Sequence, residues 1–255
     1  MSHIIAILNQ KGGVGKTTTA INLAAYLAKQ GQSVLVVDLD PQANTTSGLG
    51  VAKAENEPGT YEVLLQNAGM TEALKEAGHN IYVLPTDARL AALEVELVSQ
   101  PGREQTLKQA LAPAAHDYVL IDCPPALSLL TVNALTAADS LLIPVQAEYY
   151  ALEGLSQLLQ VVQMVRAGLN PSLELLGVLL TMYDTRTTLS TQVRQEVERH
   201  FGDKVFETVI PRNVRLAEAP SHGKSIEGYD KWSKGARAYK KLAKEVHDRA
   251  KGRKK

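Results

Sequence analysis

Residues 11–18 read Lys-Gly-Gly-Val-Gly-Lys-Thr-Thr, and this run limits the possible folds more than any other part of the sequence. An apolar stretch at 3–8 precedes it, and an alanine-rich helical pattern at 17–30 follows. Strand, glycine loop and helix in this order are typical of a phosphate-binding loop, because backbone N–H groups and the helix N-terminus then face phosphate oxygens. The predicted phosphate-binding residues are Lys11, Gly12, Gly13, Val14, Gly15, Lys16, Thr17 and Thr18.

The run departs from the usual phosphate loop at its beginning. A G-x-x-x-x-G-K-[ST] loop would place glycine at position 10, where this chain has Gln10, and a second lysine, Lys11, opens the run instead. By the usual roles, Lys16 reaches the β- and γ-phosphates, and the Thr17 hydroxyl binds Mg²⁺. The sequence therefore predicts a nucleoside triphosphate and Mg²⁺ as ligands, and Lys11 is the unusual element.

Two further stretches end in carboxylates. Residues 118–122 form an apolar strand pattern that ends at Asp122, an acid that can hold Mg²⁺, usually through water. Asp40 is the better candidate to orient an attacking water, because the proline that follows it turns the chain outward. Asp38 is expected instead to support Mg²⁺ indirectly. The predicted magnesium site comprises Thr17, Asp40 and Asp122.

Short apolar runs alternate with helical patterns along the chain. We predict strands at 3–8, 33–38, 81–85, 118–122, 140–145 and 175–181, with a short edge strand at 205–207. We predict helices at 17–30, 61–66, 88–98, 103–111, 129–137, 152–167, 190–201 and 233–250. Continuous rather than alternating apolar runs favour a parallel sheet covered on both faces. The expected fold is α/β, a doubly wound, mostly parallel sheet flanked by helices, in one domain over 1–255 with a disordered basic tail at about 251–255.

Composition narrows the classes of protein that fit. The sequence contains no run of eighteen apolar residues, the length typical of a transmembrane helix. We also expect no signal peptide before the first strand. The single cysteine, Cys123, excludes a disulfide framework within one chain. Residues 231–255 carry 11 Lys/Arg and 2 Asp/Glu in a chain whose net charge is zero. Such asymmetry favours a basic surface for a polyanion, and a solubilising tail is the alternative.

Several stretches together resemble one family. Residues 11–18, 34–44 and 121–125 are similar to the deviant Walker-A ATPases, a group of P-loop NTPases. Residues 146–154 (QAEYYALEG) and 209–223 (VIPRNVRLAEAPSHG) resemble, within that group, the ParA/Soj type of chromosome-partitioning ATPase. The similarity extends from residue 3 to about 250. It implies a slow MgATPase whose ATP-bound sandwich dimer binds DNA and is released on hydrolysis.

The resemblance also implies roles for single residues. Lys11 would be the signature lysine that reaches across the dimer to the partner's ATP, where a cation supplied in trans acts like an arginine finger. Lys16 and Asp40 would complete the catalytic set, with Asp40 polarising the hydrolytic water. Asn213 would lie near the adenine, and Met182 and Pro211 would line the base pocket.

The implied partners are a second copy of the chain, nonspecific double-stranded DNA and a ParB/Spo0J-like centromere-binding protein, in a cytoplasmic, nucleoid-associated setting. We expect that partner's basic N-terminal segment to stimulate hydrolysis. DNA contacts should go to phosphates, without sequence preference and with strong salt dependence. Surface ion pairs are the alternative role for these cations. The predicted DNA-binding residues are Arg186, Arg215, Lys224, Lys234 and Arg237, which Lys240 and Lys241 could extend.

Related functions make different demands on the sequence. An iron protein of similar fold needs cysteines from each subunit to bridge a cluster, usually two per chain, and this chain has one. A MinD-like membrane-associated positioning ATPase needs a terminal amphipathic helix that meets the lipid. The candidate apolar stripe here is expected to dock on the domain instead; it comprises Trp232, Ala236, Tyr239, Leu242, Val246 and Ala250. A phosphate-loop kinase would transfer phosphate to an acceptor other than water.

Overall fold

The structure, a computed structural model, describes residues 2–52, 57–148 and 153–252. Within these ranges seven strands form one sheet. The strands are β1 (His3–Ile7), β2 (Val34–Asp38), β3 (Lys75–Gly78), β4 (Ile81–Leu84), β5 (Tyr118–Asp122), β6 (Ser140–Gln146) and β7 (Glu174–Thr181). Their order across the sheet is β3-β4-β2-β5-β1-β6-β7, and only β3 runs antiparallel to its neighbour.

Helices of very different length connect and cover the strands. The described α-helices are α1 (Lys16–Lys29), α2 (Asn44–Gly48), α3 (Thr60–Leu64), α4 (Met70–Ala73), α5 (Leu93–Glu96), α6 (Thr106–Leu111), α7 (Leu129–Ala137), α8 (Glu153–Gly168), α9 (Thr188–Phe201), α10 (Val214–Glu218), α11 (Ile226–Tyr229) and α12 (Lys234–Ala250). Short 3-10 turns lie at Ala88–Ala92, Arg103–Gln105, Gly202–Lys204 and Ala219–His222.

The parallel strands place the ends that matter for function side by side. In the register of the central strands, Asp122 of β5 lies beside Ile7 of β1 on one side and Asp38 of β2 on the other. The chain leaves β1 directly into the glycine loop. The loop and both strand-end carboxylates therefore meet at one edge of the sheet, which is where open α/β sheets bind ligands.

Both faces of the sheet are buried, which explains the continuous apolar runs. One hydrophobic cluster includes residues of α1 and α12 together with one set of strand side chains, for example Ile5 and Val36. The other includes residues of α7 and α8 with the alternate set, for example Ala6 and Val37. The doubly wound, mostly parallel α/β fold predicted from the sequence is confirmed.

Several predicted elements differ from those observed. The expected edge strand at 205–207 is wrong, because only one isolated bridge, Val178 to Val205, forms there. The expected helix at 88–98 is a 3-10 turn followed by the four-residue α5. Edge strand β3 was missed because its sequence, Lys-Glu-Ala-Gly, is polar and half-exposed. In the basic tail, residues 253–255 lie outside the described residues, as does Leu152 of the predicted helix 152–167.

The C-terminal helix α12 packs on the domain through the predicted apolar stripe. Ala236, Tyr239, Leu242 and Val246 are each at most 1% exposed. Trp232 precedes the helix and is 77% exposed, so its inclusion in the docked stripe was wrong. No helix in the described ranges is long and apolar enough to cross a membrane.

Arg249 fixes the far end of α12. Its guanidinium donates to the carbonyl oxygens of Leu176 (3.0 Å), Lys204 (3.2 Å) and Val205 (2.8 Å). It also lies over the Phe206 ring, 4.2 Å from the centroid. Because three backbone acceptors and an aromatic face hold one side chain, the helix is attached at its C-terminal end as well as along its buried stripe.

Candidate nucleotide site

The glycine loop is held open by contacts from neighbouring strands. Gly13 and Gly15 have φ angles of 74° and 93°, a region that glycine enters without the strain of a Cβ atom. The Thr181 hydroxyl donates to the carbonyl of Val14 at 2.8 Å. Asn9 donates to Pro144 O at 2.7 Å and accepts from the backbone N–H of Lys11 at 3.0 Å. β6 and β7 thus fix the loop from outside.

Space and charge inside the loop suit phosphate. A Cβ atom added to Gly12 or Gly13 would meet no described atom within 4 Å, so the loop has an open face. Lys16 is 7% exposed, and its ammonium curls back to donate to Lys11 O at 3.2 Å. Burial lowers the pKa of Lys16, and the nearby carboxylate of Asp122 opposes that shift. Within the described residues the bond to Lys11 O is the hydrogen bond that the ammonium makes, and phosphate oxygens could provide further acceptors.

Asp122 is the buried carboxylate at the end of β5. Its Oδ2 atom accepts hydrogen bonds from the hydroxyls of Thr17 and Thr45, each at 2.7 Å. Its Oδ1 atom is buried and has no hydrogen-bond partner in the described part of the chain. Burial raises the pKa of Asp122, and the two threonine hydroxyls partly offset the shift. A buried carboxylate bonded in this way is well suited to accept a hydrogen bond from a water that is bound to a metal ion.

Asp38, one strand over, is equally buried but differently bonded. Its Oδ2 atom accepts from the N–H and the hydroxyl of Thr46 at 2.8 and 2.7 Å, and its Oδ1 atom accepts from Asp40 N at 3.2 Å. Burial, and then repulsion from Asp122, raises the pKa of Asp38. Its lone pairs are therefore directed into the protein, as expected for an indirect role.

Asp40 is partly exposed, and its only described side-chain bond is to the backbone N–H of Gln42 at 3.0 Å. No group of three or more His, Cys, Asp or Glu residues that could hold a metal occurs among the described residues. A magnesium ion at Thr17 and Asp122 would need phosphate oxygens and waters to complete its octahedron, which is its usual situation in proteins.

Lys11 lies at the solvent side of the loop and forms an ion pair with Glu148. Their side chains are 46% and 29% exposed, so water screens the pair. Glu148 was not singled out from the sequence, since an acid in a loop after a strand gives no distinctive signal.

Two residues predicted to line the base pocket lie near each other at the end of β7. Met182 follows β7 in a left-handed conformation, with a φ of 50°. Tyr183 then pairs with Pro211 in an isolated bridge, and Pro211 also lines the groove described in the next paragraph. The Asn213 Oδ1 atom is buried and lacks a hydrogen-bond partner within the described ranges. This oxygen could accept a hydrogen bond from the amino group of an adenine.

Some of the predicted DNA-binding residues share a groove of about 820 Å³. Arg186, Lys234 and Arg237 line it, and Arg212, which the sequence reasoning missed, lies there with Lys241. Arg186 is bound to Asp184 through two hydrogen bonds of 2.9 and 2.7 Å, which hold the pKa of Asp184 well below its usual range.

Two other predicted DNA contacts lie apart from the groove. Arg215 and Lys224 are not among its described lining residues. Arg215 forms an ion pair with Glu218 at 2.8 Å and lies 3.7 Å from Asp230, and Lys224 is exposed after the turn at Gly223. The structure therefore divides the predicted DNA-binding residues into a clustered set and a separate set.

Comparison with known proteins identifies the family of this chain. A family model described as an AAA domain matches residues 2–175. The chain is 57% identical over 249 residues to the sporulation initiation inhibitor protein Soj of Bacillus subtilis, covering 96% of this chain and 98% of that one. It is 57% identical over 242 residues to the chromosome-partitioning ATPase Soj of Thermus thermophilus, with 95% and 94% covered. The chain belongs to the ParA/Soj family.

Other family members extend the comparison. The chromosome partitioning protein ParA of Caulobacter vibrioides is 50% identical over 256 residues, with 98% of this chain and 96% of that one covered. A solved structure of cobyrinic acid a,c-diamide synthase from Mycobacterium smegmatis, with ADP and magnesium, superposes with a TM-score of 0.88 at 38% identity, covering 100% and 98% of the two chains. That name describes a different chemistry, whereas the ParA/Soj relatives are more similar in sequence.

Proposed function

We propose that this chain is a magnesium-dependent partition ATPase whose ATP-bound dimer holds DNA. The observation that carries the proposal is the position of Lys11: it stands at the exposed start of the glycine loop, and its side chain is 46% exposed and paired with Glu148. A second chain facing this one would receive that lysine at its own nucleotide. Family membership supports the ATPase and partition parts, and the geometry of Lys11 supports the dimer.

Four residues of this chain fit the nucleotide and its metal. Lys16 would neutralise the β- and γ-phosphates, Thr17 and Asp122 would hold Mg²⁺ directly and through water, and Asn213 would accept from the adenine. The buried, unpartnered oxygens of Asp122 and Asn213 support these assignments, because such atoms are rare without a ligand or water. Bound Mg²⁺ would offset the negative charge that develops on the phosphate oxygens.

Hydrolysis would be slow and controlled by contacts from outside the chain. Asp40 would orient the attacking water, and the partner's Lys11 would stabilise charge on the transferred group. Of the three aspartates 38, 40 and 122, Asp38 and Asp122 are buried, and Asp40 is partly exposed and so accessible to water. A ParB-like protein would raise turnover by inserting a basic segment, and hydrolysis would return the dimer to monomers that bind DNA weakly.

DNA binding would use the groove between the 184–186 turn and the first turns of α12. Its lining combines five arginines and lysines with the acids Asp184 and Glu207, so it offers net positive charge to phosphates, and phosphate contacts carry no sequence preference. The membrane alternative is disfavoured, because the apolar face of α12 is already buried on the domain and Arg249 anchors its end. This leaves the basic face of α12 for solvent or a polyanion.

The decisive experiment measures binding to a random-sequence DNA duplex with ADP, ATP and a nonhydrolysable ATP analogue, over a series of salt concentrations. We expect tight binding only with ATP or the analogue, and an affinity that falls steeply with salt. Lys16→Ala should abolish nucleotide-dependent binding. Equal affinity with ADP and ATP would contradict the proposal.

A parallel sedimentation experiment separates the alternatives. The protein is mixed with anionic liposomes or plasmid DNA in the presence of ATP, and the pelleted fraction is measured. Retention by liposomes and not by DNA would favour a membrane-positioning ATPase. Transfer of the labelled γ-phosphate to anything other than water would favour a kinase.

A further inference from the structure

Two neighbouring threonines on α2 contact different carboxylates of the nucleotide site. The Thr45 hydroxyl donates to Asp122 Oδ2 at 2.7 Å, and the Thr46 hydroxyl donates to Asp38 Oδ2 at 2.7 Å. Both threonines are buried, at 0% and 3% exposure. The bonds are thus shielded from water, where a hydrogen bond to a charged group is strongest.

The hydrogen bond from Thr45 orients Asp122, the carboxylate that we propose holds Mg²⁺. Asp122 Oδ2 has two donors, Thr17 and Thr45, and Thr17 is also the hydroxyl proposed to contact Mg²⁺ directly. Thr45 is therefore the donor that only orients the carboxylate. Residues that orient a metal-binding group commonly change metal affinity about 10- to 100-fold when they are removed.

The Thr46 bonds act on the other carboxylate and, through it, on Asp40. Thr46 gives both its N–H and its hydroxyl to Asp38 Oδ2, and Asp38 Oδ1 accepts from Asp40 N at 3.2 Å. The Thr46 hydroxyl also accepts from Thr86 N at 3.1 Å, which fixes the direction of its proton. A chain of hydrogen bonds, buried except at its Asp40 end, thus leads from α2 to the backbone of the residue proposed to orient the water.

The residues that flank α2 have little conformational freedom. Ala43 enters the helix with a φ of 56°, a left-handed conformation that is unfavourable for a residue with a Cβ. After the helix, Gly50 lies so close to Gly223 that a Cβ on Gly50 would come within 2.8 Å of Gly223 O. These flanking constraints limit the conformations open to the helix that carries both hydroxyls.

We propose that the two threonines of α2 have separate roles. Thr45 is a positioning residue for Asp122, the carboxylate that would hold Mg²⁺, and Thr46 is a positioning residue for Asp40. This rests on the proposed function, since it assumes that ATP and Mg²⁺ bind at the loop. The division predicts separate defects, one in metal dependence and one in the hydrolytic step.

The test uses Thr45→Val and Thr46→Val, which keep the side-chain shape and remove the hydroxyl. Two quantities are measured: the Mg²⁺ concentration that half-saturates binding of a fluorescent nonhydrolysable ATP analogue, and the single-turnover rate of ATP hydrolysis. Thr45→Val should raise the half-saturating Mg²⁺ concentration about tenfold, with a rate loss that excess Mg²⁺ reverses. Thr46→Val should slow hydrolysis at least about tenfold at every Mg²⁺ concentration, without moving the binding curve.

Serine variants and a remote threonine serve as controls. Thr45→Ser and Thr46→Ser keep the hydroxyl and should give wild-type values. If a valine variant does not fold, the alanine variant at the same position replaces it in the comparison with serine. Thr136→Val removes a buried hydroxyl on α7 that has no partner in the described structure, and should change neither quantity.

The outcomes distinguish a failure of the proposed function from a failure of the separate roles proposed for Thr45 and Thr46. Wild-type protein without Mg²⁺-dependent analogue binding would overturn the proposed function itself. Normal wild-type binding, combined with the same defect in both valine variants or with no defect in either, would overturn the division between Thr45 and Thr46 and leave the proposed function intact.

Discussion

The phenol oxygen of Tyr239 on α12 lies 3.1 Å from the hydroxyl of Thr19 on α1, in a region that excludes water. Helix α1 begins at the phosphate loop, and α12 carries basic residues of the groove on its exposed side. One buried hydrogen bond thus joins the helix behind the nucleotide site to the helix of the candidate DNA surface.

Removal of this bond should destabilise the fold. Tyr239→Phe leaves the Thr19 hydroxyl buried without its partner, so we expect a loss of about 1 kcal/mol in the free energy of unfolding. Urea denaturation followed by circular dichroism measures it. Tyr61→Phe is a matched control, because the Tyr61 hydroxyl bonds to Glu96 at the surface and should contribute much less. Equal losses in the two variants would contradict the prediction.

Loss of the Lys11–Glu148 ion pair should have little effect on ATP-dependent dimerisation, whereas loss of the Lys11 side chain should prevent it. Glu148→Gln removes an ion pair between partly exposed groups, worth at most about 1 kcal/mol, and so should leave dimerisation equal or up to about fivefold stronger. Lys11→Ala should abolish the ATP-dependent dimer. Analytical ultracentrifugation with a nonhydrolysable ATP analogue measures both. Stable dimers of Lys11→Ala with normal turnover would refute the role in trans.

The buried carboxylates should make the ligand-free protein less stable at higher pH. The pKa of Asp38 is raised in the folded state by burial and by Asp122, so the folded chain binds its proton more tightly than the unfolded chain does. Stability from this group is then largest below the ordinary carboxyl range and falls as the pH rises through the raised pKa. Each unit of the shift corresponds to about 1.4 kcal/mol.

Thermal melts without nucleotide or Mg²⁺, between about pH 5 and pH 8, measure this dependence. We expect Asp38→Asn to gain stability relative to the wild type as the pH rises, because its side chain never becomes charged. The difference between the two proteins cancels the titration of distant histidines. A difference that is constant over the pH range would show that Asp38 does not titrate there.

The Arg249 anchor requires glycine at position 177. A Cβ on Gly177 would lie 2.6 Å from Lys204 O and 2.8 Å from the Arg249 guanidinium, so Gly177→Ala must displace the anchor. We expect a loss of about 1–3 kcal/mol, typical of overpacking. Gly168→Ala, at the end of α8, meets no described atom within 4 Å and should be neutral or slightly stabilising. Chemical denaturation compares the two variants.

The groove should dominate the salt dependence of DNA binding. Every phosphate that the protein no longer neutralises reduces the slope of log affinity against log salt by about 0.9. We expect Arg237→Ala and Arg212→Ala each to reduce the slope by about one, measured by fluorescence anisotropy with ATP analogue. Arg199→Ala, which removes the exposed Arg199–Glu196 pair on α9 and lies outside the described lining of the groove, is the control and should leave the slope unchanged. A slope unaffected by both groove variants would place the DNA elsewhere.

Local patterns were sufficient to predict most of the sheet. The central strands are buried on both faces, so their apolar runs are long and continuous, and β5 was predicted at Tyr118–Asp122 as observed. Elements at the periphery were not predictable in this way. Helices α2 and α10 have five residues each, too few to show a helical repeat, and in α2 the backbone N–H of Thr46 is bonded to the Asp38 carboxylate at the end of β2.

Local sequence was enough to predict a phosphate loop, the strand-end acids and the family, because glycines, a lysine and a threonine at fixed spacing have a local chemical meaning. Which acids are buried, that Thr45 and Thr46 bond to them, and that Lys11 pairs with Glu148 became known from the folded chain. It also placed Arg212 with α12 and left Arg215 outside the groove. These relationships join residues far apart in the chain, and their burial and distance depend on how the strands and helices pack.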